Sequence, residues 1–451
     1  MKVAETIAAW LSSLSPDDVP GEAAATARRL LIDVVGLCVA ARRETYVEAT
    51  LGAIDRGACT VLGHAGSFDA FGAALVNGTA AHGEDYDDTF EGGPVHSGAV
   101  IIPAVLAACE RERLDGGRLL VGIATGVELM CRMSLVAPMA THNAGFHPTA
   151  VFGALASAGA VAAALRLPVD AAASALGVSG SMASGIIEYL SEGTWTKRMH
   201  AGWAAQSGIR AALMARSGFL GPRTVFDGPN SVYRAFAPSV KPDFDPLIGD
   251  LGGRWVTPSI AFKPYPCGTM VQPFIDCAVS LAADGVRAGD VQEIVCKVAA
   301  GTVPRLWEPL ANKHNPPTPY AAKFSTPFCM AMGFLSGKVG LAQFNDASIR
   351  DRDALGLAAK IRYEVNPQDE YPRKFTGHLR ATLKDGTHRE YRQPYIRGGV
   401  ESPLSDGELE SKFMENARYG GWSSATAARL LATSKTLFTQ PNVNVLEEFR
   451  G

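Results

Sequence analysis

Residues 77–100 read NGTAAHGEDYDDTFEGGPVHSGAV, and the reading of the chain turns on them. Between two apolar runs they place Glu84, Asp85, Asp87, Asp88 and Glu91 together with His82 and His96. Residues 71–81 have the pattern of a buried helix. Continued at the same pitch, that helix puts His82, Asp85, Asp88 and Thr89 on one face. Gly92-Gly93-Pro94 then ends it. Ser97 stands in the N-cap position of the apolar run 99–109, so His96 falls just outside a helix start. The positive end of the helix dipole opposes imidazolium there and favours neutral imidazole. A neutral His beside an Asp and a Thr can move protons near neutral pH.

Other readings of the same residues compete. An acidic run is ordinarily a solvated helix end. A calcium loop is excluded: Asp85, Asp87, Thr89 and Glu91 alternate suitably, but the sixth position is Phe90 rather than Gly and the twelfth is His96 rather than Glu. Asp87, Asp88 and Glu91 form a D-D-x-x-E pattern that could hold magnesium. No second acidic motif follows downstream, so this stays a minor alternative.

The 451 residues suggest two or three domain equivalents, and 47% hydrophobic against 19% charged residues is ample for large cores. A net charge of -3 suggests neither a nucleic-acid nor an anionic-membrane partner. No basic start with a long apolar core marks a signal peptide, and no apolar run is long enough to span a bilayer, so a cytoplasmic protein is expected. The eight cysteines are scattered without a C-x-x-C pair and read as reduced core residues. Clustered ligands for an iron–sulfur cluster are not visible. There is no phosphate loop and no G-x-G-x-x-G after a strand.

Helices are predicted over 23–42, 98–113, 116–134, 149–165, 169–180 and 201–217. Their many Ala and Gly residues allow close helix approach. After about residue 265 the pattern becomes mixed. Strands are expected at 291–299 and 361–365, with a hairpin from 379–383 and 388–391. Helices near 270–283, 326–336 and 350–359 are interleaved with them. Residues 312–320 read as a loop. From residue 405 helix returns, at 406–419 and 424–431, and this tail is expected to pack on the first domain.

Four places put a protonatable side chain ahead of an expected helix start: His96, His147, the Lys197-Arg198-Met199-His200 run, and Lys263 with Tyr265. The dipole disfavours cations there, so an anion held by N–H groups and side chains together would make sense of them. A ligand with two or three carboxylates fits. Arg132, inside an apolar helix, is a fifth possible contact. Singly, each of these has a plainer reading: a surface Lys or His, an ion-paired Arg132, a Tyr265 that only packs.

Taken together, N-G-x-x-x-H-x-x-D-Y-D-D-T…H-S-G, G-F-H-P-T, K-R-M-H-A-G-x-A-A-Q-S-G and K-P-Y-P-C-G resemble the MmgE/PrpD family of 2-methylcitrate dehydratases, cis-aconitate decarboxylases and iminodisuccinate epimerases. The resemblance implies a mainly α fold: a large all-helical domain built from both chain ends (1–265 with 405–451) and a smaller inserted α+β lid domain (266–404). It implies a homodimer, no metal and no cofactor. By position it assigns the site to Asp85, Thr89, His96, His147, Lys197 and Lys263.

The expected chemistry is proton removal from a carbon next to a carboxylate. Lys197 and Lys263 would clamp carboxylates, and His96, oriented by Asp85, would act as base or acid. Thr89 would hydrogen-bond substrate, with His147, His200, Arg132 and Tyr265 as further substrate contacts. A 2-methylcitrate-dehydratase-like hydro-lyase is the leading expectation. An epimerase, a decarboxylase, a magnesium enzyme and a non-catalytic carboxylate binder are the alternatives.

Overall fold

The computed structural model describes residues 2–371 and 373–451. The protein is mainly α-helical and divides into two compact units. The first takes in the chain up to Gly83, then Asp87–Ile260 and Ser405–Gly451. The second consists of Glu84–Tyr86 and Ala261–Leu404.

The first unit is built on the helices Gly21–Ala41, Ala70–Gly83, Gly98–Glu112, Gly116–Leu135, Pro148–Ala164 and Thr196–Arg216. Every residue of Pro148–Ala164 is buried, as an all-round apolar helix requires. Ala70–Gly83 and Thr196–Arg216 cross where Gly78 meets Gly202. A Cβ on Gly78 would fall 2.6 Å from the Gly202 Cα, so any side chain there would force the helices apart. This crossing sets the distance between His82, at the end of one helix, and His200, near the start of the other. Asp406–Tyr419 lies on Gly21–Ala41, where the buried Lys412 ammonium meets Asp33 at 2.7 Å.

In the second unit a four-stranded sheet has the order Ile361–Val365, Val291–Val298, Gly377–Leu383, His388–Gln393. The first pair is parallel and the others antiparallel. Alternating burial along Gly377–Leu383 turns Leu379, Ala381 and Leu383 to the core. Gln272–Ala283 and Thr326–Ser336 cover that face, with Ile275, Phe328 and Trp307 at its centre.

Three local expectations are corrected. The helix expected to carry Asp85, Asp88 and Thr89 ends at Gly83, because Asp85 takes a left-handed φ of 55° that no helix accommodates. The helix expected from 201 starts at Thr196, which takes Lys197 and His200 inside its first turns. The stretch read as a loop, 312–320, carries the end of a short helix, Leu310–His314, and the start of another, Pro319–Ala322.

All eight cysteines are buried and free. Among the described residues no helix is long and apolar enough to cross a membrane.

Candidate active site

Four of the nine histidines gather in the first unit. The His82 ring stacks on His147, with centroids 5.5 Å apart, and is tilted against His96 at 5.1 Å. His147 in turn meets His200 at 5.3 Å. Each comes from a helix end. His82 closes Ala70–Gly83 and His147 is the N-cap of Pro148–Ala164. His200 lies just inside Thr196–Arg216, and His96 stands two residues before Gly98–Glu112. Helix N-termini therefore surround a set of imidazoles, and Lys197 stands on one of them, buried.

The acidic residues of the quoted stretch have separate tasks. Asp87 Oδ2 accepts from His82 Nδ1 at 2.7 Å, both side chains being fully buried. Asp88 caps the Gly98–Glu112 helix: Oδ1 accepts from Gly98 N at 2.9 Å, and Oδ2 from the Ser97 amide and hydroxyl, each at 3.0 Å. Ser97 occupies the N-cap position without capping by its own side chain. Gly98 is needed for this arrangement, since a Cβ there would fall 2.5 Å from Asp88 Oδ1. Burial, and Asp87 alongside, push the Asp88 carboxyl up to about 7. The magnesium reading loses a ligand here, because the Asp88 carboxylate is spent on a helix start.

His96 Nδ1 lies 2.6 Å from the Asp88 carbonyl oxygen and 3.8 Å from Asp87 Oδ2. A carbonyl only accepts, so Nδ1 carries the proton and Nε2 keeps its lone pair. Within the first unit the orienting group is thus the Asp88 main chain, with Asp87 beside it. The His96 amide bonds Thr149 Oγ1 at 3.2 Å. Thr89 is buried on the short Thr89–Phe90 strand.

Burial is the main force on these imidazoles. It holds His147 well below the usual histidine range, reinforced by His82, His200, Lys197 and His96. It lowers His200 to about 4, with His82 and Lys197 adding to it. His147 and His200 are therefore neutral near pH 7. His82 Nε2 is buried with no hydrogen-bond partner among the described residues. His82, Asp87 and His96 also bring three metal-capable atoms within 4.8 Å of one another.

Asp85, Lys263 and Tyr265 belong to the second unit. Lys263 Nζ donates to the main-chain carbonyl of Asp85 at 3.0 Å. The Asp85 carboxylate accepts from the Tyr320 hydroxyl at 2.7 Å. Lys323 donates to the Glu84 carbonyl at 2.9 Å and is ion-paired with its carboxylate. Tyr86 donates to the Pro264 carbonyl at 3.1 Å. Sequence reasoning missed Tyr320 and Lys323, which lie more than two hundred residues from their partners and share no local spacing with them. It also left His82 out of the site, because a five-residue step to Asp87 across a broken helix has no periodic signature.

Two expected substrate contacts are corrected. Arg132 is committed within the first unit. Its Nε meets Glu128 at 2.6 Å, Nη1 meets Asp250 at 2.7 Å and the Pro246 carbonyl at 2.8 Å, and Nη2 bonds the Arg254 carbonyl. The Tyr265 hydroxyl donates to Asp276 at 2.6 Å and accepts from Arg397 at 3.3 Å, while its ring is part of the second unit's core. In both cases the plainer structural reading holds.

Comparison with known proteins agrees with the motifs. The MmgE/PrpD N-terminal domain model matches residues 5–245 and the MmgE/PrpD C-terminal domain model residues 265–435. The chain is 24% identical to a cis-aconitate decarboxylase of Aspergillus terreus over 434 residues, 89% of this chain and 85% of the relative. It is 29% identical to the Homo sapiens cis-aconitate decarboxylase over 356 residues, 76% and 72% of the two chains. A cis-aconitate decarboxylase-like protein, oryM, of Aspergillus oryzae is 29% identical over 277 residues, 57% of each chain.

Proposed function

The chain belongs to the MmgE/PrpD family, and from that premise we propose that it is a lyase moving a proton on a carbon of a small di- or tricarboxylate, without a metal or cofactor. The observation that carries the proposal is the ring-to-ring cluster of His82, His96, His147 and His200 at helix ends beside Lys197. A C–H next to a carboxylate is a very weak acid. Its removal needs a base with a free lone pair and positive groups to take up the charge that builds on the carboxylate.

His96 suits the role of base. Its Nδ1–H is fixed on the Asp88 carbonyl, and its side chain is 13% exposed where His82 is fully buried. Its Nε2 would take or return the proton. A substrate carboxylate beside Lys197 and the helix N–H groups raises the proton affinity of the neighbouring imidazoles. The substrate thus supplies the charge that makes the base work. His147, with His200 behind it, would carry the second proton. In the second unit, Asp85 keeps the catalytic part that the motif gives it, and Lys263 would serve by holding its main chain.

Two outcomes share this start, and a third uses the same groups with a protonated imidazole as acid. A β-hydroxyl leaves as hydroxide and takes a proton, giving dehydration. Return of the proton to the opposite face gives epimerisation. If instead the bond to a carboxyl group breaks, carbon dioxide leaves, the electron pair shifts along the adjacent double bond, and an imidazole protonates the far carbon. The names of the relatives favour the last for cis-aconitate over the hydro-lyase that the motifs alone suggested.

Incubation in deuterated water with cis-aconitate, 2-methylcitrate, citrate and iminodisuccinate, followed by proton NMR, reads all three outcomes. Neither product nor deuterium exchange with any of the four would sink the proposal. The second reading is a metal enzyme built on His82, Asp87 and His96. Loss of turnover on chelation, restored by a divalent ion, would favour it.

A further inference from the structure

We infer that Tyr320 is a positioning residue for Asp85, holding its carboxylate in the orientation the reaction uses. The inference rests on the reading of Asp85 as a residue of the site.

Asp85 is an unusual point in the chain. It is 2% exposed and has a φ of 55°, a conformation that non-glycine residues adopt only when their surroundings hold them there. In the second unit several side chains hold this stretch. Lys263 fixes the Asp85 carbonyl and Lys323 fixes Glu84 on one side, while Tyr86 is tied to Pro264 on the other. These contacts bear on the main chain. Tyr320 acts on the side chain, donating its hydroxyl to Oδ2 at 2.7 Å.

The source of the phenol is as specific as its target. Tyr320 sits on the short helix Pro319–Ala322, which Thr318 caps by accepting from Ala321 N at 3.1 Å. Lys323 follows three residues later, on the same side of the turn. One turn of chain therefore holds two consecutive residues, Lys323 taking Glu84 and Tyr320 taking Asp85. The ring of Tyr320 is braced edge-on by Phe324, with centroids 5.5 Å apart. A phenol is a neutral donor across the working pH range, so it orients a carboxylate without neutralising it. It also favours the ionised over the protonated acid.

Tyr320→Phe removes one hydroxyl and keeps the ring against Phe324. The wild type, Tyr320→Phe and Asp85→Asn are prepared with carbon-13 in the aspartate carboxyls and titrated by NMR. The Asp85 signal is the one missing from Asp85→Asn. Lys263, Glu84 and Lys323 are unchanged in every protein, so a difference between the wild type and Tyr320→Phe reports the phenol. The expected result is an Asp85 midpoint raised by about half a pH unit or more in Tyr320→Phe, with the melting temperature held. With cis-aconitate, kcat falls about tenfold, the worth of one charge-assisted hydrogen bond, while KM stays. An unmoved midpoint, or an unmoved kcat in a protein whose Asp85→Asn variant is inactive, overturns the inference. Wild-type turnover by Asp85→Asn overturns instead the catalytic reading of Asp85, and the titration then still decides whether Tyr320 governs its carboxylate.

Discussion

Nδ1 of His147 faces Nδ1 of His200 at 3.1 Å. Two ring nitrogens at that distance are bonded only when one carries a proton and the other a lone pair. The tautomers of the pair are therefore linked: a proton on His147 Nδ1 requires a bare Nδ1 on His200, and the reverse. Burial disfavours a second proton, which would set two N–H groups against each other. His200 thus orients His147 and fixes which of its nitrogens is available. His200→Ala is expected to lower kcat by about 10- to 100-fold, the usual contribution of a partner that orients a working histidine. His200→Asn, which can still donate or accept, is expected to recover part of it. Steady-state kinetics beside a melting curve checks this, and equal kcat in the two variants would remove the linkage argument.

The same burial gives a pH dependence whose sign can be worked out. The folded pKa of His200, about 4, lies below its ordinary value. Between 4 and about 6.5 the unfolded chain binds a proton that the folded chain refuses, so stability is lost as pH falls through that window. Glu110 runs the other way. Burial raises its carboxyl to about 7, although Oε2 accepts from the Thr60 amide at 2.8 Å. Its contribution is full below 4.5 and is lost as pH rises through 7. Glu110→Gln keeps an acceptor for Thr60 and removes the charge. It is expected to raise the melting temperature above pH 7, by the equivalent of about 3 kcal/mol, and to leave it nearly unchanged at pH 5. Calorimetric melting of both proteins from pH 5 to pH 9 tests this, and parallel curves would refute it.

Periodicity and charge carried much of this structure, and the places where they failed have a common cause. Strand 361–365 and helices 326–336 and 406–419 were legible to the residue because each is an uninterrupted run of one period with a turn or cap at its ends. His96, His147 and Lys197 were legible because their partners are helix starts, which a sequence marks with Pro, Ser and small residues. The break at Asp85 was not, because the left-handed backbone is imposed by Lys263 and Lys323, far along the chain. Tyr320 was passed over for the same reason: a polar, proline-rich stretch reads as loop until the residue it touches is known. Arg132 was legible as an ion-paired residue, with Glu128 one helical turn before it, but its contacts to Asp250, Pro246 and Arg254 were not, since nothing in the spacing links them to it.

The Glu84–Lys323 pair makes a stability prediction independent of any substrate. The Lys323 side chain is 2% exposed and that of Glu84 is 11% exposed, so neither charge has much access to water. Removing Lys323 takes this charge partner from Glu84 in a poorly hydrated place. Lys323→Met is expected to cost about 3–5 kcal/mol, the range for breaking a buried pair from one side. Glu84→Gln in the same chain is expected to restore most of that, because the stranded charge is then gone. Urea unfolding of the wild type, the two single variants and the double variant closes the cycle. Additive losses would mean that the two side chains do not act as a pair.

Arg132 separates a structural arginine from a substrate-binding one. Glu128, which it meets at 2.6 Å, also accepts from the amides of Val256 and Thr257 and from the Thr257 hydroxyl. The guanidinium thus neutralises a carboxylate that ties residues 256 and 257 to the Gly116–Leu135 helix. Arg132→Met leaves Glu128 buried without its charge partner, and the expected loss is about 3–5 kcal/mol of stability. Arg132→Lys keeps the charge but not the fork that reaches Asp250 and two carbonyls together, and an intermediate loss is expected. The turnover of the fraction that remains folded should keep the wild-type KM for whichever of the four acids the wild type converts. A rise in KM at unchanged stability would return Arg132 to the substrate and break the assignment made from its partners.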